Sequence, residues 1–598
     1  MRKSIRKVSA MLCLVMTTVY ITGCSGTSTE QKEVQNATEE KQPAVKVEAV
    51  GSYKKLYKRL NTVSLKQKIE RETKEVFCLE DSVDSATTES VSAEIGGEAS
   101  GASKEYGTTN GMTEGVDEAD KIKNDGEYLY FYEEDYEDNR FGIRIVKVDG
   151  RDMEEVYFLS TGQNSETGKI NEFYVIGDTL ILFESSDETK VKIYDISNRS
   201  NPKLSQTRKQ DGYYISSRVE GGYLYLVTEK YNDYCNERKS SGCVPEVEEC
   251  KVDADCIYVP EMGETRNFVT CSSIAIDDSY KIKDTVSVLA SSNNFYMSED
   301  NIYIYTSGME DKVMKTELLR MSYEDGNLEM EAKGTVKGYL TDSFALNEYK
   351  GYLRLVMMQE TYNNSGLEIY NADEEMDAST LYVLDENLKI VGQIDDIAPG
   401  EQIYSARFLG DTGYFVTFRT IDPLFSVDLS DPTAPNIIGE LKIPGFSEYL
   451  HPYSDDLLLG IGRNVKDNAS DGLKLSMFDI SDPSDVREQD KKILKQYDYS
   501  ACLYEYKALC IDTEKNLFGF SCEGELEAHW YKEYCLYTYD EKEGFKGKKT
   551  VSFNMEQNWN SDIRGTYVGD TFYTVVFGEE IVATDLNTME EVGRCQFS

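Results

Sequence analysis

The sequence predicts an all-β fold, a propeller of eight or nine four-stranded blades. Three observations carry the expectation. From about residue 114 onward, short runs of Tyr, Val, Ile, Leu and Phe alternate with turns of Gly, Asn and Asp. A hairpin recurs in which such a turn precedes a strongly apolar strand. A third strand closing on Asp follows at a repeat of about 50 residues, the spacing of a propeller blade.

The apolar hairpin strand is seen at Tyr128-Leu129-Tyr130-Phe131 after Asn124-Asp125-Gly126, and at Leu180-Ile181-Leu182-Phe183 after Ile176-Gly177-Asp178. It returns at Tyr223-Leu224-Tyr225-Leu226, Ile302-Tyr303-Ile304-Tyr305 and Phe572-Tyr573-Thr574-Val575. The third strand ends in variants of one phrase: Tyr194-Asp195-Ile196-Ser197, Val427-Asp428-Leu429-Ser430, Phe478-Asp479-Ile480-Ser481 and Thr584-Asp585-Leu586-Asn587. An Asp side chain there bonds the backbone two residues on and fixes a tight corner. Nine copies are counted, starting near 119, 171, 213, 294, 343, 403, 446, 501 and 562. Propellers typically have four to eight blades, so one copy could lie outside the ring, or two could be halves of one blade. The third copy carries an insertion at about 231–269, long enough to expect a role of its own.

Ahead of the repeats, Arg2, Lys3, Arg6 and Lys7 precede an apolar run from Val8 to Ile21 and then Thr22, Gly23 and Cys24. The run is too short to span a bilayer and has the order of an export signal. Ile21-Thr22-Gly23-Cys24 resembles the lipobox of bacterial lipoproteins, which implies cleavage after residue 23, lipid on Cys24 and an extracytoplasmic place on the cell membrane. Residues 24–47 are polar and lack the apolar content to fold, so they read as a tether. In 48–76, Ser52 before Tyr53, Leu56, Tyr57 and Leu60, and Ser64 before Leu65 and Ile69, predict two short capped helices. Residues 77–113 form a second polar linker before the repeat domain at 114–598.

The segment Asn110 to Gly126, with Glu114-Gly115-Val116-Asp117-Glu118-Ala119-Asp120-Lys121 at its centre, resembles the lead-in of a family of secreted bacterial and archaeal proteins. That family carries a C-terminal β-propeller distantly related to WD-repeat propellers. Val50 to Leu56 resembles the short helix these proteins place before the propeller, and Cys243-Val244-Pro245 to Tyr258-Val259-Pro260 resembles their insertion. The resemblance covers roughly residues 48–598; it implies the fold and an extracytoplasmic location, and no catalytic residue.

Composition narrows the chemistry. With 64 basic against 108 acidic residues the net charge is −44, and nucleic acid, which is held by clustered Lys and Arg, is not an expected partner. Only His451 and His529 are present, which leaves no His-based triad or multi-His metal site. His451 reads as structural or surface, and His529 beside Trp530 either faces a ligand or packs against its blade. Glu114, Asp117, Glu118, Asp120 and Asp125 lie within twelve residues. They are either a hard-cation site, for which calcium is the fitting ion, or a polar lead-in that caps the first blade and helps close the ring. Of thirteen cysteines, Cys13 falls in the signal and Cys24 takes the lipid. Four cluster at Cys235, Cys243, Cys250 and Cys256 and four at Cys502, Cys510, Cys522 and Cys535, where disulfides are expected outside the cell. The odd total of those left keeps at least one thiol unpaired. The functional expectation is a monomeric surface module binding an envelope protein, peptide or glycan. The alternative is a carboxylate- or calcium-dependent hydrolase working in the propeller channel.

Overall fold

The computed structural model describes residues 47–63, 106–111, 117–135, 140–161, 169–232, 242–262, 265–277, 279–291, 295–311, 313–340, 345–359, 378–418, 422–466, 469–526, 529–553 and 561–597. The expected export signal, Cys24, the expected tether up to residue 46 and the second expected helix lie outside these residues.

Nine sheets follow one another along the chain, each with a core of four antiparallel strands; those of blades 2 and 3 gain further short strands from the lead-in and the insertion. Their innermost strands begin at Ile122, Lys169, Tyr213, Phe295, Leu346, Gln402, Phe446, Cys510 and Ile563. The copies read in the sequence are therefore nine whole blades, and the ring closes without any blade being shared between the two chain ends. Blade 8 departs most from its expected start near 501. There two 3-10 turns, Ala501–Leu503 and Tyr506–Ala508, occupy the apolar stretch, and the first strand is only Cys510–Asp512.

Burial explains the strand texture. Second and third strands sit in the middle of their sheets, covered by neighbouring blades on both faces, and Thr571–Val576 and Ser379–Leu384 are buried at every position. Fourth strands are half solvated, and Arg487–Leu494 alternates exposed and covered residues. The core is accordingly divided into layers between blades. Phe415, Phe408 and Val356 fill the layer of blades 5 and 6, and Leu459, Tyr497 and Phe520 that of blades 7 and 8. The corners after third strands form as expected: Asp195, Asp428, Asp479 and Asp585 each accept the backbone N–H two residues on at 2.9 to 3.1 Å.

The helix at residues 53–63 follows Ser52, whose hydroxyl accepts the Lys55 N–H at 3.4 Å. It docks on the blade 3 insertion, burying Leu56 and Leu60 against Val244, Val252 and Ile257, with the Tyr53 hydroxyl donating to the Val252 carbonyl at 2.9 Å. The insertion lies along the outer edges of two sheets. Val247 pairs with Gln210 on the fourth strand of blade 2, and Ile257–Tyr258 runs parallel to Ser287–Val288 on that of blade 3. Edges that would otherwise offer unpaired backbone groups are thus covered.

Candidate functional site

The lead-in lies inside the ring. Tyr106 pairs with Val568 of blade 9, Asn110 donates from its amide to the Tyr449 hydroxyl of blade 7 at 3.2 Å, and Asp117–Glu118 adds a strand to the inner edge of blade 3. Asp120 then pairs with Phe173 of blade 2, and Ile122–Asn124 becomes the innermost strand of blade 1. At the first turn Gly126 has φ +91°, and a Cβ there would stand 3.0 Å from the Tyr106 ring, so both conformation and space call for glycine.

Charged groups meet around this segment. Glu118 is buried between Arg218 at 3.5 Å and Lys507 at 3.6 Å and accepts the Tyr506 hydroxyl proton in a hydrogen bond. Lys507 also binds Glu172 at 2.6 Å and donates to the Ala119 carbonyl at 2.7 Å. Arg564 of blade 9 holds Glu505 at 2.7 Å and Asp562 at 3.0 Å, and Lys121 shares both carboxylates. Burial pushes the Asp120 carboxyl up to about 6, against the lowering pull of Arg564 and Lys507. Burial would raise Glu505 too, but Arg564 and Lys121 outweigh it and hold that carboxyl down at about 2.

The four described carboxylates of the sequence cluster are therefore dispersed by the fold. Asp117 is half exposed beside Lys123 at 3.3 Å, and Glu118 and Asp120 face basic groups from other blades. Asp125 orders the first hairpin, accepting the Tyr128 N–H and the Tyr130 hydroxyl at 2.8 Å each, and reaches Arg199 of blade 2 at 3.2 Å. Glu114 lies outside the described residues. Among the described residues no three His, Cys, Asp or Glu side chains are grouped to hold a metal ion.

His451 is buried on the inner strand of blade 7, its Nδ1 3.0 Å from the Tyr449 hydroxyl, and burial with nearby Arg407 lowers it to about 3, so it is neutral at pH 7. His529 is exposed at the start of the third strand of blade 8. Of the eight clustered cysteines, Cys243 is disulfide-bonded and Cys235 is outside the described residues. Cys250, Cys256, Cys502, Cys510, Cys522 and Cys535 are free thiols. In blade 8, Cys522 stands opposite Glu533 and Cys535 opposite Phe520, so no two of its cysteines occupy directly facing strand positions. Cys502, Cys522 and Cys535 instead fill the apolar layer between blades 7 and 8, with the Cys535 thiol 3.4 Å from the Tyr497 hydroxyl.

The two faces of the ring differ. First-to-second and third-to-fourth strand connections form one face, and none exceeds the seven residues of 196–202. The opposite face carries second-to-third and blade-to-blade connections, among them 231–267, 359–378 and 495–509. We call these the turn face and the loop face. Of the ten large apolar side chains exposed among the described residues, Tyr213, Tyr231, Met309, Tyr404, Ile493, Tyr504 and Trp530 lie toward the loop face. Leu204, Ile390 and Val592 are scattered on fourth strands. Several of the rings come in pairs: Tyr213 with Tyr231 at 5.5 Å, Tyr404 with Phe446 at 4.8 Å, and Tyr499 with Tyr504 at 5.7 Å. The sequence pointed to Trp530 only as a neighbour of His529. The tyrosines were hidden among 43, and strand direction is what sorts the exposed ones to one face.

The chain is 27% identical over 576 residues to an uncharacterized protein of Archaeoglobus fulgidus, covering 82% of this chain and 84% of that one. It is also 27% identical over 495 residues to an uncharacterized protein of Methanocaldococcus jannaschii, covering 69% and 73%. Among solved structures, Sqt1 of Saccharomyces cerevisiae is similar at a TM-score of 0.35 and 10% identity, over 70% of this chain and 93% of that one. The beta propeller domain family matches residues 106–589, from the Tyr106 bridge to the last hairpin of blade 9, and the chain belongs to that family.

Proposed function

We propose that this chain is a monomeric extracytoplasmic binding protein, tethered to the membrane through lipid on Cys24, whose loop face takes up a protein, peptide or glycan of the cell envelope. The observation that carries the reading is the asymmetry of the faces. Exposed aromatic side chains gather where the long connections are, and clustered exposed apolar surface marks interaction sites. The channel favours binding over chemistry in its interior, because beside blades 1, 2, 3, 7, 8 and 9 it holds the lead-in and its ion pairs. The net charge of −44 directs the choice away from polyanions.

Two measurements test it. Metabolic labelling with a fatty-acid analogue should mark the wild-type protein and leave Cys24→Ser unlabelled; label retained by the variant removes the anchor. Retention by a cell-envelope fraction should fall several-fold in a Tyr213→Ala/Trp530→Ala double variant and stay unchanged in the outer-strand variant Ile390→Ala. Equal retention of all three proteins sinks the loop-face reading.

A further inference from the structure

On the loop face, exposed rings, their supports and paired charges are linked by side-chain contacts and strand positions across blades 6, 7 and 8. Tyr404, 36% exposed, rests on Phe446 of blade 7. Phe446 stands opposite Arg463, whose guanidinium donates to the Tyr504 hydroxyl at 2.6 Å and pairs with Glu448 at 3.1 Å. Tyr504, 41% exposed, stacks on Tyr499 with the ring planes 17° apart. Tyr499 is bridged to Glu523, which pairs with Lys532 at 3.0 Å, and two residues before Lys532 stands Trp530, 50% exposed.

We propose that this strip is a binding site for an uncharged polysaccharide chain, its pyranose rings seated on Tyr404, Tyr504 and Trp530. The inference rests on the loop-face reading and names its ligand class. Tyr404 and Tyr504 are each backed by a second aromatic ring, so little side-chain freedom is left to lose on binding. The Tyr504 hydroxyl is already engaged by Arg463, which leaves the ring face as the part available to a ligand. An aromatic face carries negative potential and attracts the weakly positive C–H surface of a sugar ring. The polar groups between the rings are mutually neutralised pairs, Arg463 with Glu448 and Lys532 with Glu523, which suit hydroxyl groups better than a formal charge. The overall charge repels anionic polymers.

Full-length protein in detergent is titrated with chitohexaose, cellohexaose, maltohexaose and a proline-rich decapeptide, read by tryptophan fluorescence and by affinity electrophoresis. Trp530 is one of only two tryptophans and its emission reports directly on the strip. At least one hexasaccharide should bind saturably. Trp530→Ala and Tyr504→Ala should each weaken binding about tenfold or more, whereas Ile390→Ala binds as wild type. All three positions are exposed, and unchanged thermal unfolding verifies the fold of each variant. Binding of no saccharide, saccharide binding unmoved by either strip variant, or uptake of the proline-rich peptide alone would overturn the proposal. Retention by the envelope fraction that depends on Trp530 without saccharide binding leaves the loop-face reading standing and removes this one. Saccharide binding through the strip without envelope retention does the reverse.

Discussion

Glu118 shows how a residue conspicuous in the sequence takes its role from partners the sequence does not reveal. Its neighbours in the chain made the acidic run visible, but the side chains that meet it are Arg218, 100 positions away, and Tyr506 and Lys507, nearly 390 away. No local spacing encodes such contacts. Removing the carboxylate takes the Glu118 partner from buried Arg218 while Lys507 keeps Glu172, so Glu118→Ala should cost about 3–5 kcal/mol in urea unfolding. Replacing Arg218 by Met in the same chain should restore part of the loss; additive losses would mean that the pair is not coupled. Titration near the channel carries opposite signs. His451 is held near 3 in the folded chain against about 6.5 unfolded, so its contribution is present above pH 6.5 and is lost as pH falls toward 3. Asp120 is raised to about 6, so its charged form opposes folding at pH 7 and the penalty lifts as pH falls from about 6 to 4. The two effects largely offset each other in the wild type between pH 6.5 and 4. In His451→Gln the Asp120 effect is no longer offset, and on acidification over that range this variant should gain about 2–3 kcal/mol more stability than His451→Gln/Asp120→Asn. Parallel profiles of the two variants would show that Asp120 does not titrate as described.

At the level of elements, legibility followed locality. Blade boundaries could be read within a few residues at eight of nine positions because each blade is a chain of local hairpins whose turn and corner residues carry their own conformational reasons. Blade 8 was misplaced because Leu503, Tyr506, Ala508 and Leu509 have the apolar density of a strand, yet they are buried as short 3-10 turns between blades 7 and 8. Composition alone does not separate these outcomes. The helix was legible from its serine cap and its spacing, but its docking site was not, since the insertion lies nearly 200 residues further on. That docking gives a separable prediction. Leu56 is fully buried in the cluster of helix and insertion, so Leu56→Ala should destabilise this lobe by about 2–5 kcal/mol. The lobe sits outside the ring, and local opening need not involve the blades. Limited proteolysis should therefore cut within residues 231–267 several-fold faster in the variant while the main thermal transition moves little. Loss of the main transition together with the lobe would mean that the two form one cooperative unit.

For the whole molecule, the question is what holds nine blades in a closed ring when the chain ends share no sheet. The seam between blades 9 and 1 has its own contacts: Phe131 lies 6.0 Å from Phe577 and 5.6 Å from Phe597, and the Tyr573 hydroxyl donates to the Gly150 carbonyl at 2.9 Å. It resembles the other inter-blade layers, so losing one ring from it should behave as an ordinary core truncation of about 3–5 kcal/mol. The lead-in acts differently. It contacts blades 9, 7, 3 and 2 before becoming part of blade 1, and its Glu118 pairs with the buried cations Arg218 and Lys507. Breaking it removes strand pairings and ion pairs in several blades at once. A chain beginning at residue 121 should therefore melt well below the Phe577→Ala variant, and below a chain that lacks only the helix at 53–63. Scanning calorimetry on the three proteins decides the matter. If the chain beginning at residue 121 melts with or above Phe577→Ala, closure resides in the seam and the lead-in merely fills a channel that the blades close by themselves.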